Sequence, residues 1–210
     1  MSTTTTQNID ASKALPVMEH FYTIQGEGAY QGQAAYFIRL AGCDVGCSWC
    51  DVKESWQADE HPIHTIDEII DWIADCPTKI VVITGGEPLM YNLDTLTARI
   101  QALGKRTHIE TSGAYPLSGK WDWICLSPKR FKKPLKECLQ AAHELKTIIA
   151  HKNDFRFTEK HTEHISDNCL RFLQAEWSVR EEVYPMIVNF VRENPTYQIS
   201  VQTHKYIDVP

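Results

Sequence analysis

The chain has 210 residues, 43% hydrophobic and 23% charged, enough for one globular core. Its 21 basic and 27 acidic side chains give a net charge of −6, and no basic run is long enough for a nucleic-acid groove, so a small-molecule substrate is favoured over tRNA or DNA. No apolar run reaches the length of a membrane span, the N-terminal MSTTTTQNIDASK lacks the pattern of a signal peptide, and an odd count of seven cysteines favours reduced thiols in the cytoplasm over a disulfide framework.

Residues 1–16 read as a disordered leader and 17–210 as a single domain. AYFIRL (35–40) is rich in β-formers and predicts a strand. TIDEIIDWIADC (65–76) spaces Ile66, Ile69, Ile70 and Ile73 for a helix, with a Thr65/Glu68 capping box at its start. KIVVIT (79–84) predicts a buried strand running into GGEP, and 92–104 a helix ended by Gly104. Strands follow at 107–111 and 121–127, a helix at 135–145, and strands at 146–150 and 169–174. A helix over 178–194, with a second capping box from Ser178 to Glu181 and Pro185 inside it, precedes a last strand at 197–202.

Alternating strands and helices imply a parallel α/β architecture. Seven strands and four helices are too few for a complete eightfold barrel of about 250 residues, so a partial, open TIM-like barrel or an open sheet fits the length. Either places a site at the C-terminal ends of the strands. The loops at that edge carry the three clustered cysteines, TGGEP, ETSG, SPK and QAEW. Cys76, Cys125, Cys138 and Cys169 sit among apolar neighbours and read as small core residues. The densest basic stretch, Lys129 to Lys136, reads as a solvated surface.

Cys43, Cys47 and Cys50 fall within eight positions with no fourth cysteine nearby. A structural zinc or a standard ferredoxin cluster takes four protein ligands. Three thiolates leave a cluster iron open, as catalytic metal centres do. The alternative is a zinc site completed by His61 or His64.

The spacing C-x3-C-x2-C with Trp49 before the last cysteine resembles the radical S-adenosylmethionine superfamily. That resemblance implies a 4Fe–4S cluster on Cys43, Cys47 and Cys50, S-adenosylmethionine on its open iron, and a 5′-deoxyadenosyl radical that takes hydrogen from substrate. FYTIQGEGAYQGQAAYFIRLAGC (21–43), VVITGGEP (81–88), IETSG (109–113), SPK (127–129) and SVQTHKYIDVP (200–210) resemble more specifically the 7-carboxy-7-deazaguanine synthase family. The likeness runs from about residue 17 to the last residue. It implies a lyase converting 6-carboxy-5,6,7,8-tetrahydropterin to 7-carboxy-7-deazaguanine with loss of ammonia, in queuosine or other 7-deazapurine biosynthesis. It also implies a cytoplasmic homodimer and a flavodoxin or ferredoxin as electron donor.

By that resemblance Trp49, Cys50, Asp51, Gly86, Glu87, Ser127, Pro128, Lys129 and Gln174 contact S-adenosylmethionine. Ile24, Gln25, Gly26, Glu27, Arg39, Thr84, His204 and Pro210 contact substrate. Arg39 also makes chemical sense: its planar fork suits the pterin carboxylate, the alternative being a surface salt bridge. The acceptor pair of Glu27 suits the donors of an aminopyrimidinone ring. Two departures stand out. Family members often carry Thr or Ser two residues after the last cysteine, where its oxygen binds Mg2+; here Val52 has none, and hard Mg2+ requires oxygen. Ala175 replaces a common proline, which unsettles the Glu176 and Trp177 contacts. Competing readings are an activase that makes a glycyl radical on a partner protein, a zinc or electron-transfer module, and a plain α/β protein with incidental cysteines.

Overall fold

The computed structural model describes residues 10–210. Nine strands form one sheet in the order β3-β1-β2-β4-β5-β6-β7-β8-β9. They are β1 (Ala14–Ile24), β2 (Ala34–Leu40), β3 (Ile63–Thr65), β4 (Ile80–Gly85), β5 (Arg106–Thr111), β6 (Trp123–Leu126), β7 (Glu144–Ile149), β8 (Leu170–Ala175) and β9 (Tyr197–Ser200). From β2 to β9 every pairing is parallel, while β1 pairs antiparallel with β2 and β3. The sheet ends at β3 and β9 without closing, as expected of a partial TIM-like barrel.

The central strands are apolar because both faces are covered. Ile80 to Ile83 of β4 are all buried. The outer face packs on α1 (Ile66–Ala74), α2 (Asp94–Ala102) and α3 (Lys136–Ala141) in one large apolar cluster. Ile149, Leu173 and Tyr197 pack with Val183 and Ile187 of α5 (Arg180–Glu193). Ala35, Phe37, Ile80 and Val82 meet Phe21 and Tyr30 in a third cluster.

The α1 capping box is formed: Glu68 N donates to Thr65 Oγ1 at 3.2 Å and Thr65 N to Glu68 Oε2 at 2.6 Å. All four spaced isoleucines are buried. The second box is absent. Ser178 instead turns its N and Oγ to Glu176 at 3.2 and 2.5 Å, and Val179 precedes α5 without a side-chain cap. Pro185 lies within α5, which continues through it.

The helix expected over 135–145 stops at Ala141. Residues 144 and 145 belong to β7, where they pair with Cys125 and Leu126 on one side and Leu170 and Arg171 on the other. Ladder bonds to two neighbours outweigh a helical pattern of local propensity. Two strands and two α-helices went unseen: β1, β3, α4 (Asn153–Thr162) and α6 (Thr203–Ile207). β1 begins inside the expected leader, whose residues 1–9 lie outside the described ones. Of the scattered cysteines, Cys125, Cys138 and Cys169 are buried and Cys76 is half-buried. No described helix is long and apolar enough to cross a membrane.

Candidate active site

A cavity of about 290 Å3 opens at the C-terminal ends of the parallel strands. Its wall includes Thr84 of β4, Thr111 of β5, Ser127 after β6, Ile148 of β7 and Gln174 of β8. The expected site residues Ile24, Gln25, Gly26, Glu27, Arg39, Cys43, Cys47, Trp49, Cys50, Asp51, Thr84, Gly86, Glu87, Ser127, Lys129, Gln174, His204 and Pro210 all line it. Pro128 is buried but outside the lining. Val52, Glu176 and Trp177 line it too.

The cysteine loop follows β2 and is fastened at both ends. Gly42 N donates to Ser55 O at 2.7 Å and Cys43 N to Trp56 O at 3.1 Å. Tyr91 Oη donates to Ala41 O at 2.8 Å. The GGE loop after β4 presses on it: Glu87 N donates to Gly42 O at 2.9 Å, and a Cβ on Gly86 would lie 2.2 Å from that same oxygen. Only glycine permits this approach. The buried Glu87 carboxylate is engaged by Ser112 N at 2.8 Å, Leu89 N at 3.1 Å and the hydroxyls of Thr111 and Ser112. It ties the GGE loop to the ETSG loop.

The three thiols are free and face one cavity. Among the described residues no three Cys, His, Asp or Glu side chains converge on a single metal position. Zinc needs its sulfurs about 2.3 Å from one centre; a multi-iron cluster spreads its thiolates over different irons. His61 Nε2 is bonded to Glu54 O at 2.7 Å, and His64 packs edge-on against Trp72, so neither proposed zinc histidine joins the thiols. Burial raises the Cys43 and Cys47 thiols, while the Lys129 ammonium opposes this at Cys47. Burial also lowers Lys129, which donates to Ser127 Oγ at 2.6 Å and lies 5.1 Å from the centre of the Trp49 ring. Three thiols, a cation and close-packed glycine backbone fit an iron–sulfur cluster with an anionic cofactor group beside it.

The QGEG segment crosses from β1 to the far end of the sheet. Gly28 N donates to Ser200 Oγ at 3.0 Å, and Thr203 N donates to Gly26 O at 2.9 Å. A Cβ on Gly26 would lie 2.0 Å from His204 Nδ1. Within this segment Gln25 Oε1 accepts from Glu27 N at 3.1 Å, and its Nε2 donates to Glu110 Oε1 at 3.0 Å. Lys146 Nζ donates to Glu27, and to Glu110 Oε2 at 3.3 Å. Gln202 Nε2 donates to Glu27 Oε1 at 2.9 Å. Burial acts to raise the Glu27 carboxyl, but Lys146 and Gln202 together bring it down to about 2. Burial acts against the Lys146 charge as well, yet the surrounding acidic groups hold its pKa well above the usual lysine value. Burial lowers His204, against the pull of Glu27.

Arg39 lines the cavity while its Nε donates to Glu19 Oε1 at 2.6 Å, so one edge of the guanidinium is held and the terminal nitrogens remain. Asp51 pairs with Lys205 at 3.2 Å, joining the cysteine loop to α6. Glu110, Lys146 and Gln202 were not singled out from the sequence. Lys146 carried a weak signal, a charge at the head of the short expected strand KTIIA; Glu110 and Gln202 sit in segments noted for other residues.

Residues 37–126 match the Radical SAM superfamily. Over 202 residues the chain is 52% identical to a 7-carboxy-7-deazaguanine synthase of Flavobacterium psychrophilum, covering 96% of each chain. It is 45% identical to that of a Synechocystis species over 92% of this chain and 93% of the other. The crystal structure of QueE from Escherichia coli superposes with a TM-score of 0.81 at 28% identity, covering 91% of this chain and 95% of that one. These similarities set aside the zinc module, the glycyl-radical activase and the protein with incidental cysteines. The chain belongs to the 7-carboxy-7-deazaguanine synthase family of radical S-adenosylmethionine enzymes.

Proposed function

We propose that the cavity converts 6-carboxy-5,6,7,8-tetrahydropterin to 7-carboxy-7-deazaguanine with loss of ammonia, feeding queuosine or another 7-deazapurine. The observation that carries this reading is convergence: the cysteine loop, the GGE loop, the QGEG segment and the C-terminal Pro210 line one cavity. Cys43, Cys47 and Cys50 hold a 4Fe–4S cluster. With S-adenosylmethionine bound, that group supplies the radical chemistry that removes hydrogen from pterin C6.

The chain's own residues bind and orient. Trp49, Asp51, Gly86, Ser127, Lys129 and Gln174 surround S-adenosylmethionine, with the Lys129 charge suited to its carboxylate. Pro128 sets the backbone between Ser127 and Lys129, and Glu87 acts by holding two loops together. Arg39 offers its terminal nitrogens to the pterin carboxylate. Glu27, kept ionised by Lys146, accepts hydrogen bonds from the aminopyrimidinone edge. Ile24, Gln25, Gly26, Thr84, His204 and Pro210 complete the pterin site. Mg2+, if used, is held by substrate, water and backbone, because Val52 offers no side-chain oxygen. The enzyme takes its electron from a flavodoxin or ferredoxin and works as a cytoplasmic homodimer, readings that rest on the resemblance.

The test is anaerobic reconstitution followed by reductant, S-adenosylmethionine and 6-carboxytetrahydropterin, with mass spectrometry for product. 7-Carboxy-7-deazaguanine is expected. Formation of 5′-deoxyadenosine without it overturns the substrate; failure of both in protein fully loaded with iron and sulfide overturns the catalytic reading.

A further inference from the structure

An electron must cross the protein surface to reach the cysteines, and the cavity is the site proposed above for cofactor and substrate. The cysteine loop has another face: Asp44, Gly46 and Ser48 are exposed, while Val45 and Cys47 between them are buried. A Cβ on Gly46 would meet nothing within 4 Å, so this face is open.

The segment Lys129–Lys136 borders that face. Lys132 Nζ donates to both Asp44 carboxylate oxygens, at 3.0 and 2.8 Å, and to Tyr115 Oη at 2.7 Å. Lys129 Nζ stands over the Trp49 ring, 5.1 Å from its centre. Five of eight residues in this segment are basic and none is acidic, in a chain of net charge −6. Arg130 is paired with Asp154 and Lys132 with Asp44. Lys133 and Lys136 are exposed, and Phe131 between the basic residues is 57% exposed.

We infer that Phe131, Lys133 and Lys136, exposed on the segment that Lys132 ties to Asp44 of the cysteine loop, form the docking surface for an acidic one-electron carrier protein of the flavodoxin type. This rests on the radical reading above. The chain as a whole repels an acidic partner, so a local basic patch is needed to bring one in, and steering of this kind raises association rates about 10- to 1,000-fold. Electron-transfer encounters use small interfaces, which one exposed aromatic ringed by charges satisfies. The small residues Gly46 and Ser48 would let a partner come close to the three cysteines that would hold the cluster, and tunnelling falls steeply with distance.

The experiment uses the reconstituted enzyme, a purified acidic flavodoxin and dithionite as a small reductant. Cluster bleaching is followed by stopped-flow absorbance, and binding by anisotropy of labelled flavodoxin. K133E/K136E is expected to slow flavodoxin-driven bleaching about tenfold at low salt and to weaken binding comparably. Added salt should bring wild type toward the variant. F131A should weaken binding with a smaller salt dependence. Dithionite-driven bleaching and product formation should be unchanged in both variants. Equal slowing with both reductants, unchanged flavodoxin kinetics in the variants, or retention by this face of a short RNA but not flavodoxin overturns the inference. Wild-type protein that assembles no cluster overturns the underlying radical reading, and the inference with it.

Discussion

Lys146, in the middle of β7, bonds to Glu27, 119 positions earlier in the segment that crosses the cavity. Both side chains are withdrawn from water, with 4% and 14% exposure. Charges so placed stay ionised only where counter-charges and hydrogen bonds surround them, as each does here for the other.

Removing the lysine is therefore costly. Lys146→Met strands Glu27 and Glu110, and the expected loss is about 3–5 kcal/mol of stability in urea denaturation. The pH dependence has a definite sign. Glu27 falls from an ordinary value of 4.5 to about 2 in the fold, so its contribution is complete above pH 4.5 and is lost as pH falls through about 2. Wild-type stability should drop across that window, and in Lys146→Met this component should vanish. A variant with the wild-type acid limb would show that Lys146 is not the cause.

Gly26→Ala tests the contact with α6. Its Cβ would fall 2.0 Å from His204 Nδ1, within the cavity wall. The expected result is a fall in kcat/KM for the pterin of at least about tenfold, or 1.4 kcal/mol, with iron content kept. Gly26→Ala/His204→Ala should recover part of the thermal stability, because the 2.0 Å contact with the ring is removed and only the 2.9 Å approach to the residue 204 Cβ is left, without restoring kcat/KM.

Pro210 lines the cavity although chain ends commonly fray. The turn before it is anchored: Val209 N donates to His204 O at 3.2 Å. A tag appended after Pro210 should raise KM for the pterin about tenfold, while an N-terminal tag should leave it unchanged. Steady-state kinetics on the two tagged forms decide this.

Val52 lines the cavity, at the position where the family resemblance implies a Thr or Ser oxygen. Its carbonyl already accepts from Ser55 Oγ at 2.7 Å. Val52→Thr adds a hard ligand, and Mg2+ titration of product formation should show a stronger stimulation than in wild type. Equal titration curves would mean that the Mg2+ site does not reach this position.

The sequence by itself determined the elements whose signals are local. Four isoleucines at helical spacing and the Thr65/Glu68 pair made α1, and the apolar run before GGEP made β4. The three cysteines, the paired glycines and QGEG were also legible, because each is a contiguous pattern suited to one chemistry. Only the tertiary structure decided what depends on partners distant in sequence. α4 is polar along most of its length, and Asp154 at its start accepts from Ala150 N and His151 N. β1 carries a proline and scattered polar residues, and its ladder to β2 makes it a strand. Glu144 and Lys146 lie in a strand because β6 and β8 flank them, and the Lys146 charge survives burial through acidic groups brought from β5, β6 and the segment after β1, whereas burial raises the Glu144 carboxyl. Periodicity records which face of an element meets the core. It does not record which buried charge will find its counter-charge 119 residues away.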